Sequence, residues 1–103
     1  MISFEIDIPD MSSVQAVEAW LQERVQSAGL HLRGPITLKT IPGSLHWHLS
    51  AGQGSGTLEV TIDRVRKVVT VSVHANRRGT WAGAAVESWA RALTDVLCGG
   101  GGS

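Results

Sequence analysis

His46 and His48 stand two positions apart in Leu45-His46-Trp47-His48-Leu49-Ser50. On a strand that spacing turns both imidazoles to one face, roughly 6–7 Å apart. A zinc ion can be gripped from there if a neighbouring strand adds a third donor, and Glu59, Asp63 and His74 are the available side chains. No second pair at a fixed spacing accompanies them. The residues are therefore read as polar neighbours of a buried Trp47, and no metal or other cofactor is expected. Cys98 has no base beside it in sequence and reads as a packed or introduced thiol. Ser50 beside His48 and Ser72 beside His74 lack an acid to orient the imidazole, so no catalytic residue is assigned. The run Ala51-Gly52-Gln53-Gly54-Ser55-Gly56 leads into a strand, whereas a phosphate cradle needs a helix after it; it reads as a flexible hairpin loop. His74, Arg77 and Arg78 read as part of a solvated loop ahead of a helix.

These residues depend for their placement on a run of period-two segments. Leu45 to Ser50, Gly56 to Asp63 and Lys67 to His74 each alternate apolar with polar side chains, and the last two are rich in β-branched residues. Joined by short breaks, they predict an antiparallel meander with one apolar and one polar face. Ile2, Phe4, Ile6 and Ile8 predict a further strand, ended by Pro9-Asp10. Ile36, Leu38 and Thr40, alternating with Thr37, Lys39 and Ile41, predict another, begun by Gly34-Pro35 and ended by Pro42-Gly43. Val14, Val17, Leu21, Val25 and Ala28 recur at helical spacing, with Ser12 or Ser13 as the N-cap and Gly29 as the stop. A second helix is expected from Trp81 to Leu97, capped by Thr80, with Val86, Trp89, Ala90, Leu93 and Leu97 on its stripe. Two helices and about five strands predict an α+β, two-layer fold, with both helices on one face of a mostly antiparallel sheet. The face away from the helices would expose Glu5, Asp7, Lys39, His46, His48, Glu59, Thr61, Thr70, Ser72 and His74 to water or a partner.

Composition excludes several classes of partner. Nine basic and nine acidic residues cancel, so no electrostatic footprint for nucleic acid or anionic lipid is expected. A single cysteine among 103 residues implies a reducing compartment. No run approaches the roughly 20 apolar residues of a spanning helix, and Glu5 and Asp7 interrupt any signal-peptide reading. A cytoplasmic, single-domain protein over residues 1–98 is the expectation. The helix–strands–helix order resembles the topology of double-stranded-RNA-binding domains, but Ala82, Gly83, Ala84 and Ala85 stand where lysines would be needed.

Trp81 is the least conventional residue. It heads the second helix beside Ala82, Gly83, Ala84 and Ala85, which leave the adjoining surface flat. Val65 is also out of place, in a turn that would suit Gly or Asn. An aromatic anchor framed by small residues is the chemistry of a protein contact. Trp81, Ala82, Ala84, Ala85, Ser88 and Val65 are the expected protein-binding residues.

Gly99-Gly100-Gly101-Gly102-Ser103 is identical to the standard unit of engineered flexible linkers. With the Trp81 patch, it makes the chain resemble engineered or computationally designed proteins built on a small bacterial α+β scaffold; no natural family is identified by any motif. The resemblance implies a designed binder that covers a target protein, with a viral surface glycoprotein as the class of target. The linker would serve display, fusion or multimerisation. Two alternatives stand beside it: a designed hydrolase using Cys/His or metal-assisted chemistry, and a natural bacterial protein carrying an added tail.

Overall fold

The strands of this protein form one antiparallel sheet in the order β1-β5-β4-β3-β2. The computed structural model describes residues 1–99; of the expected linker 99–103, Gly99 is the last residue of α2, and positions 100–103 lie outside the described residues. The elements are β1 (Ile2–Asp7), α1 (Ser13–Ala28), β2 (His31–Ile36), β3 (Leu45–Ser50), β4 (Leu58–Asp63), β5 (Val68–Val73) and α2 (Ala82–Gly99). β1 occupies one edge and β2 the other. α1 carries the chain between these edges, and β3, β4 and β5 return as the expected meander. The expected α+β class, element order and single helix-covered face are all observed.

One face is apolar because the register stacks the alternating residues. Leu58, Val60 and Ile62 of β4 stand opposite Leu49, Trp47 and Leu45 of β3. Across β5, Val60 faces Val71 and Ile62 faces Val69. Phe4 and Ile6 extend the same face over β1. The helices cover it with Val14, Val17 and Leu21 of α1 and Val86, Trp89, Leu93 and Leu97 of α2. Gly29 adopts the left-handed conformation at φ 66°, and the Leu30 amide donates to Val25 O at 2.9 Å, closing α1 as expected.

Three local expectations are corrected. The second strand is His31–Ile36, not residues 36–41. Gly34-Pro35, joined by a cis peptide bond, lies inside this strand, where the pairing with β3 shifts between Arg33 and Ile36. An edge strand tolerates that irregularity because no further strand needs the proline's missing donor. The following segment folds into two turns, with the Ile41 amide donating to Leu38 O and the Ser44 amide to Ile41 O, both at 3.1 Å. Ser12 makes no side-chain cap for α1; Asp10 Oδ1 accepts instead from the Ser12 amide at 3.1 Å.

The third correction concerns the glycine run, which is docked rather than a free hairpin loop. Ser55 is buried, and its carbonyl accepts from the Trp81 and Ala82 amides at 3.0 and 2.9 Å. That carbonyl caps α2, while the expected cap, Thr80, turns its hydroxyl to Gly54 O at 3.3 Å. The Thr57 amide donates to Arg77 O and the Thr80 amide to Gly54 O, which ties the loop to the segment ahead of α2. Gly56 and Gly79 pass so close that a Cβ on either would strike the other segment's backbone.

The polar face holds the expected residues except Lys39, which lies in the turns after β2, but not the expected exposure. His46, Glu59, Thr61, Asp63 and Ser72 are buried. β4 is the middle strand, so polar side chains of β3 and β5 lie over its own. The segment after β2 and residues 74–77 add cover at one end.

Candidate metal centre

The register sets Glu59 directly opposite His48 on β3, and His46 directly opposite Thr61. On the other side Glu59 faces Ser72 of β5, two residues before His74. Side chains at opposite and diagonal positions on one sheet face are within mutual reach. Three histidines therefore converge on one carboxylate.

His46 Nε2 lies 3.2 Å from Glu59 Oε1, and His48 Nε2 lies 3.6 Å from the same oxygen. The two imidazole nitrogens are 2.9 Å apart, with their rings nearly perpendicular at 79°. His74 Nε2 approaches the other carboxylate oxygen, Oε2, at 3.1 Å. That approach is off the line a hydrogen bond needs, and Glu59 Oε2 is the one buried side-chain polar atom among the described residues with no hydrogen-bonding partner. Glu59 is about nine-tenths buried, so this is a carboxylate oxygen withdrawn from water and left unsatisfied.

His46 Nδ1 and Thr61 Oγ1 are hydrogen-bonded at 2.6 Å. With Nδ1–H donating to the hydroxyl, the Nε2 lone pair points at the cluster, the arrangement in which a second residue orients a metal-binding imidazole. Burial lowers the His46 pKa from its usual value of 6.5; the neighbouring His48 lowers it further, while Glu59 opposes both. The neutral ring is the form that offers a lone pair.

The three donor atoms closest together are His46 Nε2, His48 Nε2 and Glu59 Oε1. With edges of 2.9, 3.2 and 3.6 Å they lie on a circle of radius about 1.9 Å, so a point about 2.05 Å from each sits about 0.8 Å off their plane. A tetrahedral zinc ion bound at that distance needs donor separations of about 3.3 Å. The cluster already has the shape of three corners of such a site. Without a metal, the contact between the two nitrogens is a hydrogen bond: with the His46 proton on Nδ1, His48 Nε2–H donates to His46 Nε2 at 2.9 Å.

The cluster opens into a concavity of about 480 Å³ bounded by Ile36, Leu38, Asn76 and Arg77. An adjoining hollow of about 370 Å³ is lined by Arg33 and again by His46, His48 and Arg77. No family model, curated protein or solved structure matches this chain. The site must be judged on its own chemistry.

Of the residues singled out in the sequence, His46, His48, Glu59 and His74 are brought together. Asp63, on the same strand face as Glu59, instead accepts from the Val65 and Arg66 amides at 3.1 and 3.0 Å. Cys98 is exposed at the end of α2, a helix packed on the opposite face of the sheet from His48, so the two do not form a pair. Thr61 and Arg33 carried no functional signal in sequence. Thr61 is found only once the β3–β4 register is known, and Arg33 only once β2 is placed beside β3.

Of the expected protein-binding residues, Trp81, Ala84, Ala85 and Ser88 line one groove, whereas Ala82 and Val65 lie outside it. Ala82 is fully buried and Ala85 reaches the surface only as part of that groove's lining, because small side chains at those positions let α2 sit closely on the sheet and the Ser55 loop. Val65 is exposed, but it lies in the β4–β5 turn, at the opposite end of β5 from the segment leading to Trp81. Trp81, Ala84 and Ser88 remain together. Trp81 is half-buried, edge-on to Trp89 at 6.1 Å, and Trp89 is edge-on to Trp20 at 5.1 Å. Arg24 lies over the Trp20 and Trp89 rings at 5.6 and 5.7 Å. Trp81, Trp89, Arg24, Ala84 and Ser88 line a groove of about 370 Å³ between the helices.

Proposed function

We propose that the protein binds a divalent transition metal, with zinc best matched to its donors, through His46 Nε2, His48 Nε2 and Glu59 Oε1. The reading rests on the triangle of those three atoms around a common point at metal–ligand distance. Thr61 would hold the His46 ring, while His74 stands beside the far oxygen of Glu59 without a hydrogen bond to it. Two imidazoles and one carboxylate leave a tetrahedral ion one position short, the pattern of catalytic rather than structural zinc. That position would face the concavity beside Arg77, where water or a substrate can reach it. Water held there would be acidified towards neutral pH, so the reaction class is metal-assisted hydrolysis.

Cobalt is the direct probe. Titration with Co²⁺ is expected to produce the visible absorption of a four-coordinate ion at one equivalent. The zinc form is expected to hydrolyse an activated ester such as p-nitrophenyl acetate, with the rate lost on chelation. Cobalt spectra typical of the hydrated ion would remove the metal site, and hydrolysis indifferent to chelation would remove the metal from the reaction.

A second reading, a protein-binding module, is supported by the groove between α1 and α2. Trp81 there offers a half-buried aromatic anchor beside the exposed Ala84 and Ser88. The occupant would be a target protein, with viral surface glycoproteins the class to screen. Trp81→Ala is expected to weaken such binding by about 2 kcal/mol, roughly thirtyfold. Equal affinity of the variant for a captured target would rule the groove out as the interface.

A further inference from the structure

We infer that the hollow beside the His46–His48–Glu59 cluster is a subsite for a small organic oxyanion, a carboxylate or phosphate monoester, whose oxygen takes the open metal position. The inference rests on the metal reading above and names what that metal would present to a ligand. Three observations carry it.

The first is charge. Glu59 is the only carboxylate that lines either hollow, among the described residues. A dication held by one carboxylate and two neutral imidazoles keeps a positive surplus, and a low-dielectric wall concentrates it. The second is the pair of guanidinium groups. Arg33 on β2 and Arg77 after β5 come from opposite sides of the cluster and line one hollow with His46 and His48. Neither is paired with a carboxylate among the described residues, whereas Arg66 and Arg91 are paired with Glu5 and Glu87. Unpaired guanidinium groups at a concave site present forked donors matched to carboxylate and phosphate oxygens. The third is the rim. Ile36 is 56% exposed at the mouth of both hollows, an unusual position for a large apolar side chain, and Leu38 lies beside it. They offer contact to a short hydrocarbon group attached to the anion.

The elements that hold these parts explain their convergence. Arg33 precedes the irregular Gly34-Pro35 step, after which the chain turns away from β3 and brings Ile36 and Leu38 to the rim. Arg77 sits in the single turn at Ala75–Arg77, and its carbonyl is fixed by the Thr57 amide at 2.9 Å. The clamp that caps α2 thus also positions one of the two guanidinium-bearing residues.

The test is an anion titration of the cobalt-loaded protein. Inorganic phosphate, butyrate and neutral butanol are added in turn while the visible spectrum is followed. Phosphate or butyrate is expected to shift the cobalt bands saturably, and butanol to leave them unchanged. Preference for phosphate assigns the phosphate ester, and preference for butyrate the carboxylate. The exposed pair changed together, Arg33→Gln with Arg77→Gln, is expected to weaken the anion at least tenfold while cobalt still binds at one equivalent. If cobalt binds but neither anion moves its spectrum, or the double variant binds anions as tightly as the unchanged protein, the subsite is refuted and the metal site stands. If cobalt does not bind, both readings fall together. A melting curve of the double variant checks that its fold is retained.

Discussion

Zinc at about one hundred times its dissociation constant is expected to raise the melting temperature by roughly 10–20 °C, and His48→Ala to abolish the rise. Binding to the folded chain alone stabilises it by about 2.7 kcal/mol at that ratio. Each kcal/mol moves the midpoint of a domain this size by about 4–8 °C. His48 is the suitable ligand to remove because its side chain is 27% exposed and lies on the polar face of the sheet, with Glu59 opposite it. Loss of its ring therefore leaves the metal-free fold close to its original stability. Glu59→Gln gives the complementary result. In the metal-free protein it removes a buried carboxylate with an unsatisfied oxygen, so the melting temperature should hold or rise. With zinc present, the variant should lose most of the stabilisation, because an amide cannot replace the charged donor. A midpoint unmoved by zinc, or an equal rise in His48→Ala, would exclude this centre. A destabilised metal-free Glu59→Gln would instead make the carboxylate an ordinary structural partner of the histidines.

Gly79→Ala is expected to destabilise the fold by about 3 kcal/mol or more, lowering the melting temperature by roughly 12–24 °C. Two effects act together. Gly79 has φ 52°, a left-handed conformation that costs a residue with a Cβ about 1 kcal/mol or more. The new methyl group would also run into the Gly56 amide and the Ser55 carbonyl group, which are backbone and cannot rotate aside. Relief requires the two segments to part, which breaks the bonds from the Trp81 and Ala82 amides to Ser55 O and leaves the head of α2 uncapped. Gly43→Ala is the control, since its φ of 77° carries comparable backbone strain but a Cβ there meets nothing within 4 Å. Its expected cost is the strain alone. Equal losses for the two variants would show that the close approach contributes nothing. Because Arg77 belongs to the clamped segment, Gly79→Ala should also weaken anion binding in whatever fraction stays folded.

The helices and the meander were legible in the sequence because each is written locally. Val14, Val17 and Leu21 repeat with the period of a helix, and Gly29 supplies the conformation that ends it. Leu58, Val60 and Ile62 repeat with the period of a strand and are fully buried in one face, as their alternation requires. The second strand was misplaced because two neighbouring stretches both alternate, Leu30 to Arg33 and Ile36 to Ile41. Only pairing with β3 decides between them, and it selects His31–Ile36. The burial of two alanines in the patch around Trp81 was illegible for a related reason. Alanine on a helix reads the same whether it faces water or a closely packed neighbour, and Ala82 and Ala85 prove to be buried.

The sequence by itself determined that His46 and His48 share a face, because a strand repeats every two residues. It also determined the α+β order, since the apolar periods change at recognisable turn signals. Only the tertiary structure decided that Glu59 stands opposite His48, that Thr61 holds the His46 ring, and that His74, Arg33 and Arg77 reach the same place. Those relations depend on the register between strands and on how loops dock across the sheet. A shift of one residue would send Glu59 to the apolar face, and nothing in the local order of residues specifies the pairing.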